Sequence, residues 1–187
     1  FLPIIVKNTN HMVKMVDDLL QLARLEAQTN GGKAARINAA EALSVAWKAC
    51  APSAESKQVD LVHSLPEEGL EVTADFDQLV QVFRNLLENA IKYSPAGDHI
   101  EVGYQQEGRK VTFSVRDNGP GIPKQHQQRV FERFYRVEKY RSNQSGSTGL
   151  GLSICRHIIL NNGGRIWVQS PVELEEKGTV FFFTLFC

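Results

Sequence analysis

The segment DQLVQVFRNLLENAIKYSP, residues 77–95, is the element around which this chain is organised. Apolar residues recur in it every three to four positions, which predicts an amphipathic helix that packs one face on a core. The apolar positions are Leu79, Val82, Phe83, Leu86, Leu87, Ala90 and Ile91. The opposite side carries Asn85, Glu88, Asn89 and Lys92. Because asparagine is a mediocre helix former, two asparagines four residues apart on one face indicate a role beyond helix formation.

The polar side of this helix has two interpretations. The side-chain carbonyls of Asn85 and Asn89 can offer neutral oxygen ligands to a Mg²⁺ ion that also binds phosphates and water. Alternatively, the face is solvated and carries an ion pair between Glu88 and Lys92. The helix alone favours neither interpretation, so other segments must decide.

Composition limits the classes of protein to which the chain can belong. Its 187 residues, 42% of them hydrophobic, suffice for one ordinary domain and an appendage. The 21 Lys and Arg residues balance the 21 Asp and Glu residues, so the net charge gives no reason to expect a nucleic acid or an anionic membrane as partner. The three cysteines form no C-x-x-C pair, which predicts neither disulfides nor zinc and favours the cytoplasm. We expect any membrane connection to lie upstream of Phe1.

The N-terminal segment is predicted to be one long helix. Ile5, Met12 and Leu19 are seven residues apart, as in a coiled-coil seam, so we expect this helix to pair with another helix or another chain. The sequence TNGGK at residues 29–33 then breaks the pattern. It divides the chain into a helical segment, 1–30, and a domain, 34–187.

The remaining elements indicate an α/β (α+β) two-layer sandwich, in which helices cover a mixed, mostly antiparallel sheet. A hairpin is predicted at residues 100–117, and the nearly continuous apolar run at 179–186 predicts a central, covered strand. The other predicted elements are helices at 38–57, 124–133 and 149–162 and strands at 59–65, 70–74 and 165–169.

The turn DNGPGIP, residues 117–123, combines an acidic residue at a strand end with two glycines. The carboxylate of Asp117 can accept a hydrogen bond from an exocyclic amine of a base, and Gly119 and Gly121 allow a ligand to approach the backbone. In isolation the motif could equally be a simple turn.

The segment SGSTGLGL, residues 145–152, leads from a loop into a helix whose first N–H groups could bind a phosphate. It is neither a Walker A loop nor a G-x-G-x-x-G motif, and a flexible linker is the alternative. Just before it, FERFYRVEKYR at residues 131–141 has more basic than acidic residues, which can neutralise a polyphosphate, while its aromatic residues attach the segment to the core.

The order of these motifs is more specific than any one of them. Asn85-x-x-x-Asn89, DNGPGIP, FERFYR and GSTGLGL follow each other like the N, G1, F and G2 boxes, so residues 36–186 resemble the ATP-binding domain of sensor histidine kinases. GTVFFFTL, residues 178–185, resembles the G3-type strand of that family. The resemblance implies a Bergerat-type ATP-binding fold whose cofactors are ATP and Mg²⁺.

The resemblance also implies roles for individual residues. Asn89 would bind Mg²⁺, and Asp117 would bind the adenine amine. The phosphates or the ribose would contact Asn85, Lys92, Tyr93, Arg136 and Arg141. The other cofactor-binding positions that it implies are Gly119, Gly121, Ile122, Tyr135, Gly146, Ser147, Thr148, Gly149, Leu150, Gly151 and Leu152. Ser147 stands where the G2 box usually has a second glycine, a change that would stiffen the lid.

The N-terminal helix, through LLQLARLEAQ, resembles the second helix of the dimerisation and phosphotransfer hairpin in the same family. This resemblance implies a homodimer in the complete protein and a response-regulator receiver domain as partner. None of the five histidines stands directly before an acidic residue, as the phospho-accepting histidine of the family does. We therefore expect ATP binding without an acceptor in this chain, the γ-phosphoryl group passing to a histidine upstream and then to an aspartate of the regulator.

Two other functions stay open at this stage. One is a hydrolytic ATPase of the same superfamily, which would have a glutamate base where this chain has Asn85, with Glu88 pointing about 100° away from Asn89 around the helix. The other is a non-catalytic nucleotide-binding signalling module.

Overall fold

The computed structural model describes residues 2–27, 34–137, 148–171 and 177–187. The predicted elements are found close to their expected bounds. The helices are α1 (Leu2–Ala27), α2 (Ala39–Lys57), α3 (Phe76–Tyr93), α4 (Lys124–Gln127) and α5 (Gly151–Asn161), with a 3-10 turn at Arg129–Phe131. The strands are β1 (Ala35–Asn38), β2 (Asp60–His63), β3 (Glu71–Ala74), β4 (His99–Glu107), β5 (Lys110–Asp117), β6 (Ile166–Gln169) and β7 (Thr179–Phe186).

Within the described residues, the main sheet has the strand order β2-β4-β5-β7-β6. The β2–β4 pair is parallel and the other pairs are antiparallel, so the predicted mixed, mostly antiparallel sheet with a helical layer and a preceding long helix is confirmed. Strand β7 is internal and largely buried, as its apolar run predicts. The register sets Asp117 at the end of β5 opposite Thr179 at the start of β7.

Two features of the sheets differ from a local reading of the sequence. The two short strands that flank the sequence PEEG, residues 66–69, belong to different sheets. Strand β2 pairs with β4 in the main sheet, and β3 pairs with β1 in a separate two-stranded sheet. Strand β1 was not predicted, because four residues of which the first two are exposed carry little periodic signal. Helix α2 also continues through Pro52, which was expected to weaken it.

Helix α3 begins and is buried as its sequence predicts. The Asp75 side chain caps it by accepting the Gln78 N–H at 3.1 Å. Every apolar position predicted for its core face is buried. Phe83 of α3 contacts Phe113 of β5 and Phe183 of β7 at ring-centroid distances of 5.7 and 5.5 Å, and all three rings are fully buried. These rings join the helical layer to β5 and β7, two neighbouring internal strands of the sheet.

Helix α1 packs against the domain along one face, on which Leu22 and Leu25 are 3% and 6% exposed. The seam residues Ile5, Met12 and Leu19 are at least 40% exposed. The expected pairing with another helix therefore concerns this exposed seam and stays a prediction, while α1 also contacts α5. The predicted boundary at 29–33 lies outside the described residues. In the part of the chain that the structure describes, no helix combines the length and the apolar character needed to cross a bilayer.

The aromatic contact between α3 and the sheet should dominate stability. We expect Phe83→Ala to lower the free energy of unfolding by about 3–5 kcal/mol, because it leaves a cavity between two layers that cannot collapse. Chemical denaturation followed by circular dichroism measures this change. Phe186→Ala, at an aromatic residue that is 38% exposed at the end of β7, is the control and should cost much less. Equal losses in the two variants would contradict the assignment of the core.

Candidate functional site

An open cleft of about 1050 Å³, solvent included, lies beside the polar face of α3. Its other walls come from the turn after β5, the segment that follows the 3-10 turn, the loop before α5, and α1. Most predicted site residues line it: Asn85, Asn89, Tyr93, Asp117, Gly121, Ile122, Tyr135, Arg136, Thr148, Gly149, Gly151 and Leu152. Segments far apart in the sequence thus meet at one site.

Other predicted residues lie beside the cleft or outside the described part of the chain. Gly119 directly follows the cleft wall formed by Asp117. The Leu150 side chain is fully buried, and its backbone N–H donates to the Thr148 hydroxyl at 3.3 Å. Lys92 is half-buried, with its ammonium 5.0 Å from the centroid of the Tyr93 ring. The remaining predicted positions, which fall outside the described residues, are Arg141, Gly146 and Ser147.

Asp117 is a buried carboxyl group at the inner end of the cleft. It is 5% exposed, and its Oδ1 accepts the backbone N–H of Gly119 at 2.8 Å. Burial raises the pKa of Asp117 to about 6, an effect that the Gly119 hydrogen bond opposes. Within the described residues no donor is seen on the second oxygen, so that oxygen can accept a hydrogen bond from an amino group of a ligand.

The two glycines of the DNGPGIP turn are required by close packing. A Cβ atom on Gly119 would lie 2.7 Å from Asp117 Oδ1 and 2.9 Å from the carbonyl oxygen of Tyr93. Gly121 has a φ of +80°, and a Cβ atom there would lie 3.0 Å from Ser170 Oγ. The same Ser170 hydroxyl oxygen accepts the Ile122 N–H at 2.7 Å. The turn leads from β5 to α4.

The polar face of α3 connects the cleft to its neighbours. Asn85 Nδ2 donates to the Gly151 carbonyl oxygen at 3.1 Å, which ties α3 to the first residue of α5. Asn89, one turn later, also lines the cleft. Glu88, expected to support Lys92, forms an ion pair with Lys14 of α1 at 2.9 Å.

Basic groups gather at the end of the cleft near Lys92. The pKa of Lys92 is lowered to about 8, first by burial and then by the positive charges of Arg136 and Lys14. Positive charges that lie close together at a half-buried site repel one another, and a bound anion would reduce that repulsion. This end of the cleft is therefore suited to a polyanion, while Asp117 at the other end is suited to a hydrogen-bond donor.

The glycine-rich loop and the aromatic segment before it are in direct contact. Gly149 has a φ of +74°, and a Cβ atom there would lie 2.9 Å from Phe134 Cα. The Phe134 N–H donates to the Gly149 carbonyl oxygen at 2.9 Å. Only glycine fits such an approach of two backbones, so the position of the segment that carries Arg136 depends on the loop that begins α5.

The sequence motifs did not predict the contribution of α1. Lys14 and Asp18 both line the cleft, and the Asp18 carboxylate accepts the Thr148 hydroxyl at 2.6 Å. Gln21 forms side-chain hydrogen bonds with Gln81 of α3. These positions and Leu22 do follow a helical period of three to four residues, which indicates a common face of α1. The period gives no indication of the surface that this face contacts.

The donor groups of the cleft fit a magnesium nucleotide. Among the described residues, no cluster of three or more His, Cys, Asp or Glu side chains could hold a metal ion by itself. The amide oxygen of Asn89 is a neutral hard ligand, and Mg²⁺ is commonly held by one or two protein oxygens together with substrate phosphates and water. The site thus fits Mg²⁺ only when phosphates complete its coordination.

A sequence model described as "Histidine kinase-, DNA gyrase B-, and HSP90-like ATPase" matches residues 74–186. The chain belongs to this family. It is 36% identical over 187 residues to the sensor histidine kinase WalK of Bacillus subtilis (strain 168), an alignment that covers 99% of this chain and 30% of the relative. The chain therefore spans less than a third of the length of this curated relative.

Two solved structures resemble the present one over nearly its whole length. Full-length ShkA in complex with AMPPNP has a TM-score of 0.76 and 27% identity, over 94% of this chain and 36% of that one. Histidine kinase ThkA in complex with the response regulator protein TrrA has a TM-score of 0.72 and 25% identity, over 97% and 49%. The chain is thus the ATP-binding catalytic domain of a sensor histidine kinase of the two-component type.

The buried Asp117 should make stability depend on pH in the absence of nucleotide. Because its pKa in the folded state, about 6, lies above its ordinary value of 3.8, the neutral form is favoured by folding. The resulting stabilisation is complete below pH 3.8 and lost as the pH rises through 6, and it amounts to roughly 3 kcal/mol at most. Urea denaturation between pH 4 and 7.5 should show this decline for the wild type relative to Asp117→Asn.

The control for this prediction is Asp60→Asn, at an exposed aspartate of β2. The free energy of unfolding of this variant should change with pH as that of the wild type does. Parallel profiles for Asp117→Asn and the wild type would show that the Asp117 carboxyl is ionised normally in the folded protein.

Proposed function

We propose that the complete protein transfers the γ-phosphoryl group of Mg²⁺-bound ATP to a histidine outside this chain and then to an aspartate of a response-regulator receiver domain. The observation that carries the proposal is the single cleft that joins the buried Asp117 to the cationic group around Lys92. Similarity to the sensor histidine kinase WalK over 99% of this chain supports the same reaction, and the ThkA–TrrA complex supports the receiver partner.

Adenine would bind at the Asp117 end of the cleft. The second carboxylate oxygen accepts the exocyclic amine, and Gly119 and Gly121 leave room for the base beside the turn. Ile122 and Phe181, both in the cleft lining, supply apolar surface for the ring. A hydrogen bond from the adenine amine would give a partner to a carboxylate that is otherwise poorly solvated.

The phosphates would bind at the opposite end. Asn89 provides an oxygen to Mg²⁺, and the positive charges of Lys92 and Arg136 neutralise the phosphate oxygens. Roles for Asn85 and Tyr93 in the same contacts are supported by their positions in the cleft lining. Roles for Arg141, Gly146 and Ser147 rest on the resemblance alone.

For the phosphoryl transfer, the protein would have to supply mainly positioning of the nucleotide and neutralisation of its charge. Mg²⁺, which Asn89 would hold together with the phosphates, would reduce the negative charge of the phosphate oxygens. The chain holds the nucleotide in one orientation between Asp117 and the basic end of the cleft, so that the γ-phosphoryl group faces an imidazole brought in by the hairpin. The attacking imidazole needs no base from this domain if it arrives in its neutral form.

A hydrolytic ATPase is the second candidate, because Glu88 lines the cleft. The Glu88 carboxylate is already in an ion pair with Lys14 and lies 3.8 Å from Arg84, so it is not available as a base. Asn85, which donates to Gly151, provides no basic group. The kinase is therefore the favoured function.

We also propose the division into a hairpin helix, 1–30, and a catalytic domain, 34–187. The exposed apolar residues of α1, among them Ile5 and Met12, support homodimerisation through a helical hairpin in the complete protein. A cytoplasmic location, with any membrane anchor in another part of the protein, agrees with the three free cysteines.

Calorimetry should show that the chain binds ATP and that Mg²⁺ strengthens binding. Asn89→Ala should reduce mainly the Mg²⁺-dependent part, since it removes a metal ligand, and Asp117→Ala should weaken ATP tenfold or more with or without Mg²⁺. Asn10→Ala, at an exposed asparagine of α1, is the matched control and should bind like the wild type. Absence of binding by the wild-type chain would refute the proposed function.

Incubation with ATP labelled on the γ-phosphate should leave this chain without acid-labile phosphohistidine, because none of its histidines has the setting of a phospho-acceptor. Label should appear on a separate hairpin that carries a histidine followed by an acidic residue. Multiple-turnover release of inorganic phosphate that is abolished by Glu88→Gln would instead favour the hydrolytic ATPase.

A further inference from the structure

His126 of α4, which no motif includes, contacts a residue of the cleft. Its ring nitrogen Nδ1 lies 2.5 Å from the hydroxyl oxygen of Tyr135. Tyr135 lines the cleft next to Arg136, whereas His126 does not line it. The hydrogen bond forms whichever of the two groups donates, since both a phenol and an imidazole can donate or accept. His126 thus reaches the cleft only through Tyr135.

The backbone at this point needs such support. Phe134, directly before Tyr135, has a φ of +60°, in the left-handed region that a large side chain rarely adopts. Such a conformation persists only where surrounding contacts hold it. The Gly149 carbonyl oxygen holds the Phe134 N–H on one side, and the Tyr135 side chain provides an anchor on the other.

Tyr135 is held at both its ring and its hydroxyl group. The Arg129 guanidinium lies 4.3 Å from the centroid of the Tyr135 ring, in a cation–π contact. Arg129 is itself oriented by Glu132 at 3.3 Å. The cation–π contact holds the face of the ring, and the hydrogen bond to His126 holds its hydroxyl end.

His126 is in turn fixed to the turn that carries Asp117. Its backbone N–H donates to the Pro123 carbonyl oxygen at 2.8 Å, and the neighbouring Gln127 side chain donates to the Ile122 carbonyl oxygen at 2.9 Å. The contacts therefore run from the Asp117 end of the cleft through α4 to Tyr135 and Arg136. They fix the distance between the two ends of the cleft.

We propose that His126 is a positioning residue of the nucleotide site, which acts through the Tyr135 hydroxyl group to hold the wall that carries Arg136. The inference rests on the proposed function, because it needs a nucleotide that spans the cleft. Without His126, the Tyr135–Arg136 segment samples more positions, and the bound nucleotide must order it at a cost in affinity.

The test is a double-mutant cycle in the full chain, read by calorimetry with Mg²⁺-ATP. His126→Ala and Tyr135→Phe should each weaken binding about fivefold, the change expected for one lost hydrogen bond. Because both variants remove the same bond, the double variant should bind no more weakly than either single one. His126→Asn, whose side chain can still pair with the hydroxyl, should recover most of the affinity.

Controls separate positioning from a general loss of structure. His63→Ala, at an exposed histidine of β2, should bind like the wild type. The thermal midpoint of His126→Ala without nucleotide should stay close to that of the wild type. If the wild-type chain fails to bind ATP, the proposed function fails and the inference with it. If it binds, wild-type affinity in His126→Ala, additive losses in the double variant, or no recovery in His126→Asn would overturn the inference alone.

Discussion

The packing of Phe83 edge-on against the stacked rings of Phe113 and Phe183 is the interaction on which the other features of the structure depend. These three fully buried rings hold α3 against β5 and β7, two neighbouring internal strands of the sheet. Because α3 is amphipathic, fixing its apolar face on the sheet turns Asn89 towards the end of β5, where Asp117 lies. The cleft is therefore a consequence of layer packing, and its two chemically distinct ends are set by one helix and one strand end.

Two ionisable groups at the cleft, Asp117 and Lys92, have pKa values that differ from their ordinary values. Burial raises the pKa of Asp117 to about 6, and burial with neighbouring cations lowers that of Lys92 to about 8. Burial is the first cause of both shifts. Under the proposed function, an amine donated to Asp117 and phosphates close to Lys92 would offset part of the cost of burying these groups.

Helix α1 adds a wall to the site that the ATP-binding domain does not itself supply. Lys14 pairs with Glu88, and Asp18 accepts the Thr148 hydroxyl at the start of the glycine-rich loop. These contacts engage residues on two sides of the cleft, so movement of α1 and the state of the cleft are physically linked. They also explain why Glu88 is a poor candidate for a general base, since its carboxylate is already in an ion pair.

The sequence by itself determined the periodic elements, the buried face of α3, the Asp75 cap and the order of four motifs, because these depend on local spacing and residue type. That order sufficed to identify the family and most residues of the cleft. Tertiary structure alone decided the pairing of β2 with β4, the contacts of Lys14 and Asp18, and the bond between His126 and Tyr135. Each of these contacts joins segments whose approach depends on how the layers and loops pack. Sequence periodicity indicates which face of an element is apolar, but it does not indicate which other element that face contacts.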